Sequence, residues 1–142
     1  MSKEIQNHMN LTFDARSVNE GFARMVVAAF MMEMDPTMEE LADVKTAVSE
    51  AVTNAIIHGC APLVEMECTR SNRRLVVSVR DHGVGIADIE KARQPFYSGS
   101  PDRKRSGMGF SFMEAFMDEV QVTSAPGKGT CVTMTKSMGE NE

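Results

Sequence analysis

Between Asp35-Pro36-Thr37 and Gly59 the chain carries one unbroken helical period, and the rest of the fold has to be built around it. Pro36 breaks the helix that precedes it. Thr37 with Glu40 three residues on forms a capping-box pattern, and Gly59 is a natural stop. At roughly 100° per residue, Leu41, Val44, Val48, Ala51, Val52, Ala55 and Ile56 share one broad arc, which must face a core. Glu50, Asn54 and His58, four residues apart, form an adjacent polar stripe beside the small residues Ala47 and Ala51. A helix built this way can seal a core with one face and line a cleft with the next.

The segments on either side predict a small α+β domain. A strand at Met9 to Phe13 precedes Ser17 and Glu20, a second capping-box pattern, and a first helix running toward Met34. Its Phe22, Met25, Val26, Ala29 and Phe30 recur at helical spacing and are expected on the core, with Arg24 at the edge of that face. Leu63 to Cys68 and Leu75 to Arg80 read as a hairpin across the polar stretch Thr69 to Arg74. A short helix at Asp88 to Gln94 leads into Pro95 to Ser106, which has no apolar period and is expected to be a mobile surface loop. A third long helix opens at Gly107 with Phe110, Met113, Ala115, Phe116 and Met117. A last hairpin joins Val120 to Ser124 with Thr130 to Thr135 across Gly127-Lys128-Gly129.

Composition narrows the function. With 142 residues, 42% hydrophobic and 25% charged, the chain suits a single domain over 1–142. A net charge of -5 gives no basic footprint for nucleic acid, so direct DNA binding is not expected. Cys60, Cys68 and Cys131 are too few and too scattered for a disulfide framework, and they hold no C-x-x-C pair. No stretch reaches the ~18 apolar residues of a membrane helix, and Met1 to Asn10 has no apolar signal core. A cytoplasmic protein without membrane insertion is expected. Thirteen methionines against no tryptophan read chiefly as adaptable core filler.

Four motifs bear on chemistry. A carboxylate and an amide one turn apart, Glu50 and Asn54, suit a general base beside a Mg²⁺ ligand, because the amide oxygen binds a cation without repelling phosphate. In isolation such a pair is most often just the wet side of a helix. Asp81-His82-Gly83-Val84-Gly85 directly follows an apolar strand. There a carboxylate can accept from an amino group while glycines permit close approach of backbone, although a tight turn explains the same residues. Asp88 stands where a dinucleotide fingerprint needs its third glycine. Ser106-Gly107-Met108-Gly109-Phe110 opens a helix behind Arg103, Lys104 and Arg105, so unpaired backbone N–H groups and a basic run can receive phosphate oxygens. Gly127-Lys128-Gly129-Thr130 lacks the order of a Walker loop and reads as a hairpin turn, with Thr130 able to point a hydroxyl into a pocket.

Taken in order, Glu50 to Asn54, Asp81 to Gly85, Gly107 to Phe110 and Gly127 to Thr130 resemble the N, G1, G2 and G3 boxes of the gyrase, heat-shock chaperone, histidine kinase and MutL ATPase superfamily. With Asp35-Pro36-Thr37-Met38, Ser49 to Gly59 and Arg105 to Phe110, nearly the whole chain is similar to the anti-sigma F factors of sporulating bacteria. That resemblance implies a Bergerat-type ATP-binding fold: an α+β two-layer sandwich whose mixed, largely antiparallel sheet is covered on one face by helices, with an ATP lid over about 95–106. It implies a Mg²⁺-dependent serine kinase that uses ATP to phosphorylate an anti-anti-sigma factor, sequesters a sigma factor of the sigma F type, and forms a homodimer. By position, Glu50 would be the catalytic base, Asn54 would ligate Mg²⁺ beside ATP, and Asp81 would take the adenine amino group. Gly83 and Gly85 would shape the base pocket, Arg105 would meet the terminal phosphate, and Thr130 would support the adenine site. The backbone from Ser106 and Gly107 through Met108 and Gly109 to Phe110 would cradle phosphates. Two alternatives stand beside this one: a nucleotide-regulated sigma-binding module with incidental catalysis, and a detached histidine kinase catalytic domain. The stretch Cys60 to Asn72 is shorter than the family pattern, and Gly127-Lys128-Gly129 is a more basic third turn.

Overall fold

The computed structural model describes residues 5–85 and 108–139. The expected short helix at Asp88 to Gln94, the basic stretch Pro95 to Ser106 and Gly107 lie outside the described residues. Five strands form one sheet: β1 (Asn7–Asp14), β2 (Leu63–Ser71), β3 (Arg74–Asp81), β4 (Glu119–Ser124) and β5 (Thr130–Ser137). Their order is β1-β2-β3-β5-β4, and every described pairing is antiparallel. Among the described residues three α-helices, α1 (Val18–Met31), α2 (Met38–Gly59) and α3 (Met108–Phe116), complete a two-layer α+β architecture, with α2 packed between α1 and α3. Among the described residues no helix is long and apolar enough to cross a membrane.

The long helix forms as its sequence predicts. Thr37 Oγ1 accepts from Glu40 N at 3.0 Å and Glu40 Oε1 accepts from Thr37 N at 2.8 Å, closing the capping box. Val44, Val48 and Val52 are fully buried and Ala51 and Ala55 nearly so, while Leu41 and Ile56 pack partly buried against the same core. Each fully buried aliphatic side chain contributes roughly 1.5–3 kcal/mol. The helix stops at Gly59, with Cys60 left-handed behind it at φ 59°.

Helix α1 differs from expectation in two respects. Its buried residues are Ala23, Val27 and Met31, whereas Phe22 and Met25 are 54% and 61% exposed and Ala29 also faces out. The helix is apolar on nearly every side, so periodicity alone could not choose the face that packs on α2. Nor does Ser17 close a capping box. Its backbone is already helical at φ -54°, its side chain makes no cap bond, and Glu20 reaches across to α2 instead. The last turn tightens into a 3₁₀ segment, Met32–Met34.

The polar stretch Thr69 to Arg74 is mostly strand rather than loop. The β2–β3 ladder continues to Ser71 opposite Arg74, leaving a two-residue turn in which Asn72 takes φ 55°. Methionine serves the core as expected, since Met31, Met34, Met66, Met113 and Met134 are among the largest fully buried side chains.

Candidate functional site

The site assembles where the C-terminal end of α2 meets the end of β3 and the β4–β5 turn. Asp81 closes β3, and inward-facing alternation puts its carboxylate on the helix side of the sheet, only 4% exposed. Gly83 N donates to Asp81 Oδ1 at 2.9 Å. Val84 N donates to Gly59 O at 2.9 Å and Gly127 N to Val84 O at 2.7 Å, so one loop is stitched to both neighbours.

Glycines make this closure possible, though not chiefly by leaving room for a ligand. A Cβ on Gly83 would stand 1.6 Å from Gly59 O, and one on Gly129 would stand 2.1 Å from Asp81 O. Gly129 also adopts φ 83°, a conformation side chains resist. At Gly59 a Cβ would sit 2.7 Å from Asp81 Cγ. Three glycines from three places in the chain therefore let backbone close around Asp81, Gly59 and Gly83 at its carboxylate and Gly129 at its backbone. Sequence reasoning took Gly59 for a helix stop and Gly129 for a turn residue. Each bears its signal only in the company of Asp81, which is distant in sequence.

Burial pushes the Asp81 carboxyl above the usual aspartate range, opposed by the N–H of Gly83, the nearby His82 and the N–H of Thr130. Thr130 lies opposite Asp81 in the β3–β5 ladder. Its hydroxyl is 2.8 Å from that of Ser124, which also donates to Gly129 O at 2.8 Å. The sequence pattern of an acid followed by glycines thus becomes a buried, oriented acceptor with a hydroxyl pair alongside.

Along α2 from this point, Asn54 and Glu50 lie half-buried on the stripe beside Ala51 and Ala47, both of which are buried. Helical geometry places Asn54 about 1.4 turns, and Glu50 about 2.5 turns, before Gly59. Met108 and Gly109 begin α3 and Phe110 anchors its first turn in the core at 7% exposure. Arg105, Ser106 and Gly107 lie outside the described residues. Of the sequence-predicted set, the structure therefore brings Asp81, Gly83, Gly85 and Thr130 into one cluster, with Asn54 and Glu50 back along the same helix. Gly85, at φ 78°, would carry a Cβ 2.0 Å from Ala125 O, which closes the loop onto the β4–β5 turn.

Two further features, one beside the site and one on the other face of the sheet, were not expected from the sequence. Ser49, next to Glu50, donates to Glu20 of α1 and accepts from Arg24 Nη1 at 3.2 Å, while Arg24 pairs with Glu20 at 3.3 Å. A shallow groove of about 330 Å³ lies on the open face of the sheet, lined by residues including Asn10, Glu65, Glu67, Ser78, Arg80 and Thr133. It contains none of the candidate site residues. Its polar walls are the outward side of strands whose other side is core.

The site thus joins a buried acceptor to a helix that carries an amide and a carboxylate. Residues 11–136 match the family described as the histidine kinase-like ATPase domain. The RsbU and RsbW domains of Rv1364c from Mycobacterium tuberculosis share the fold at TM-score 0.71 and 20% identity, over 96% of this chain and 34% of that one. The histidine kinase AdeS of Acinetobacter baumannii does so at TM-score 0.56 and 18% identity, over 93% of this chain and 68% of that one. At such identities the likeness shows the fold alone.

Sequence relatives are far closer. The anti-sigma F factor of Thermoanaerobacter sp. (strain X514) is 51% identical over 98% of this chain and 99% of its own length. Those of Oceanobacillus iheyensis and Bacillus subtilis are 49% and 47% identical, each over 97% of both chains. The chain belongs to the anti-sigma F factor family, built on the histidine kinase-like ATPase fold.

Proposed function

We propose that this protein is a Mg²⁺- and ATP-dependent serine protein kinase that phosphorylates an anti-anti-sigma factor and binds and inhibits a sigma factor of the sigma F type. The observation that carries this reading is the order of groups along α2. Asp81 sits under the helix's C-terminal end, Asn54 about 1.4 turns back and Glu50 about 2.5 turns back. That is the order of adenine, phosphates with their metal, and acceptor hydroxyl in a nucleotide laid out for transfer.

The residues fit such a ligand. Asp81 is a buried carboxylate with one oxygen taken by Gly83 N–H, leaving acceptor capacity for an adenine amino group. Asn54 would hold Mg²⁺ through its amide oxygen. Bound Mg²⁺ would offset the charge of the phosphate oxygens. Glu50 would take the proton of the substrate serine. Gly83 and Gly85 would fix the loop against which the base lies, with Thr130 alongside. Arg105 would meet the terminal phosphate, and the backbone from Ser106 to Phe110 would cradle phosphates at the start of α3. The region 1–142 would act as one kinase and anti-sigma domain in the cytoplasm, with 95–106 as its lid.

A homodimer is part of the reading. Val18, Phe22, Met25 and Met32 are 69%, 54%, 61% and 59% exposed, and with Ala29 they fall on one side of α1 at alternating spacings of four and three. That is the seam by which two helices pack on each other. A second copy of this chain is its proposed occupant.

One assay separates the alternatives. The protein is incubated with labelled ATP, Mg²⁺ and the anti-anti-sigma partner, and sigma-factor capture is measured in parallel with ATP, ADP and no nucleotide. The kinase reading expects acid-stable phosphoserine on the partner. Acid-labile phosphohistidine would instead favour a detached histidine kinase domain. Nucleotide-dependent capture without any transfer would leave only the regulated binding module.

A further inference from the structure

Strand β5 presents Val132, Met134 and Lys136 to the helix layer, where Val132 is 4% exposed and Met134 fully buried. Lys136 thus occupies a core-facing position opposite buried Leu75. Its side chain is only 14% exposed. An apolar residue would fill this place without the desolvation that a lysine suffers there. The ammonium is held by two partners from two helices: Phe116 O, the last residue of α3, at 2.7 Å, and Asp43 Oδ2 of α2 at 3.4 Å. The first contact places a cation on the negative end of the α3 dipole and satisfies one of its orphan carbonyls. The second ties that end to α2.

This link lies at the far end of both helices from the candidate chemistry. Asp43 stands seven residues, about 10 Å, before Glu50. From Phe116 back to Met108, α3 runs about 12 Å along α2. Only five residues of α2 precede Asp43, too short a track for α3 to follow, so α3 runs from the lysine toward Glu50. A helix of that length laid along α2 in this direction would bring its first turn, Met108 and Gly109, level with the polar stripe. Asp118 separately ties the chain beyond α3 to β5, with Asp118 N on Thr135 O at 2.9 Å and Ser137 N on Asp118 Oδ2 at 2.6 Å. Neither of those bonds reaches α2. Lys136 adds a polar joint between the two site-bearing helices to their direct packing.

We infer that Lys136 is a positioning residue for phosphoryl transfer: by holding Phe116 O and Asp43 on one ammonium, it sets the start of α3 against Glu50 and Asn54. The inference rests on the nucleotide-site reading above. Asp81 and its glycines belong to a different part of the frame, so recognition of the base does not depend on Lys136.

The test compares wild type, Lys136→Met, Lys136→Arg and Asp43→Asn in kcat/KM for partner phosphorylation, in ATP affinity and in AMP affinity. Lys136→Met should lower kcat/KM on the order of a hundredfold, the cost of misplacing reacting groups by about an ångström, while AMP affinity stays within about twofold. Lys136→Arg should recover most of the loss, and Asp43→Asn, which keeps Lys136 on Phe116, should show a smaller one. Asp43→Asn also keeps the test open if Lys136→Met does not fold, because AMP affinity retained alongside reduced transfer is the same signature. Unchanged transfer in both variants, or an equal loss of AMP affinity and transfer, would overturn the assignment. If wild type bound AMP as tightly as ATP, or Asp81→Asn left AMP affinity intact, the nucleotide-site reading itself would fail and take the inference with it.

Discussion

Helices α1 and α2 lie side by side and are both rich in apolar residues, yet they use that surface in opposite ways. Along α2 a single arc is apolar and is buried, leaving Glu50 and Asn54 at its edge. Along α1 Ala23, Val27 and Met31 go inward, while Phe22 and Met25 stay outside, as does Met32 just beyond its end. One helix spends its amphipathicity on a core and a cleft, the other on a core and a surface. The lesson is that an apolar residue at helical spacing predicts burial against something, and only the tertiary fold decides whether that something is the same chain.

The largest effect expected from this contrast concerns two adjacent methionines. Met31 is fully buried and Met32 is 59% exposed. In the monomeric Phe22→Glu/Met25→Glu background, Met31→Ala should cost about 2–5 kcal/mol in chemical denaturation, and Met32→Ala within about 0.5 kcal/mol. Equal costs would mean that the inward face of α1 has been misassigned. Next, Phe22→Glu combined with Met25→Glu should leave the monomer folded but reduce the sedimentation mass to that of a single chain. A dimer that survives both changes would remove α1 from the interface.

A smaller effect is expected at the start of α2. Glu40 caps the helix and also accepts from Gly139 N at 2.7 Å, while Arg73 binds Met34 O at 3.0 Å and Gly139 O. The N–H of Gly139 first, then the N–H and hydroxyl of Thr37 and the nearby charge of Arg73, hold the Glu40 carboxyl below its usual range. Its contribution is therefore complete above the ordinary glutamate range and is lost as pH falls through the lowered value. Glu40→Ala should cost about 1 kcal/mol at neutral pH and flatten that acid loss in a pH series of melts. Asp81 has the opposite sign. Because burial raises it, folding is progressively penalised as pH rises from the ordinary aspartate range through the raised value. Asp81→Asn should remove that slope while abolishing ATP binding, whereas an unchanged slope would mean the carboxylate is not buried as described. The smallest effect is chemical. Cys60 is exposed, whereas burial pushes the Cys68 thiol up to about 12. Iodoacetamide should thus modify Cys60 and leave Cys68 intact in the folded protein.

Much of this was legible before any coordinates. The capping box of Thr37 and Glu40, the buried arc of α2 and both hairpins follow from local rules, because caps, turns and period act within a few residues. The Glu50 and Asn54 stripe was legible for the same reason. What was not legible depended on distant partners. The pattern Ser17-x-x-Glu20 fits a capping box, but Glu20 finds Ser49 on α2 and Arg24 one turn along its own helix, and the local bond is not made. Gly59 and Gly129 look like punctuation until Asp81 is folded between them. Lys136 left a faint trace, a charge at an inward position of an alternating strand, whose meaning required the ends of two helices. The strand ends at Thr69 to Arg74 are polar enough to read as a loop, yet one face of this sheet is open and tolerates polar residues.

The central claim is that the polar stripe of α2 does chemistry while its apolar arc does packing, and Glu50→Gln tests it most directly. Single-turnover transfer from ATP to the partner serine is measured beside ATP affinity and thermal stability. The account predicts transfer slowed about 10²–10⁴-fold, the usual worth of a general base, with ATP affinity and melting temperature close to wild type. Transfer at the wild-type rate would show that Glu50 is the solvated side of a structural helix and nothing more.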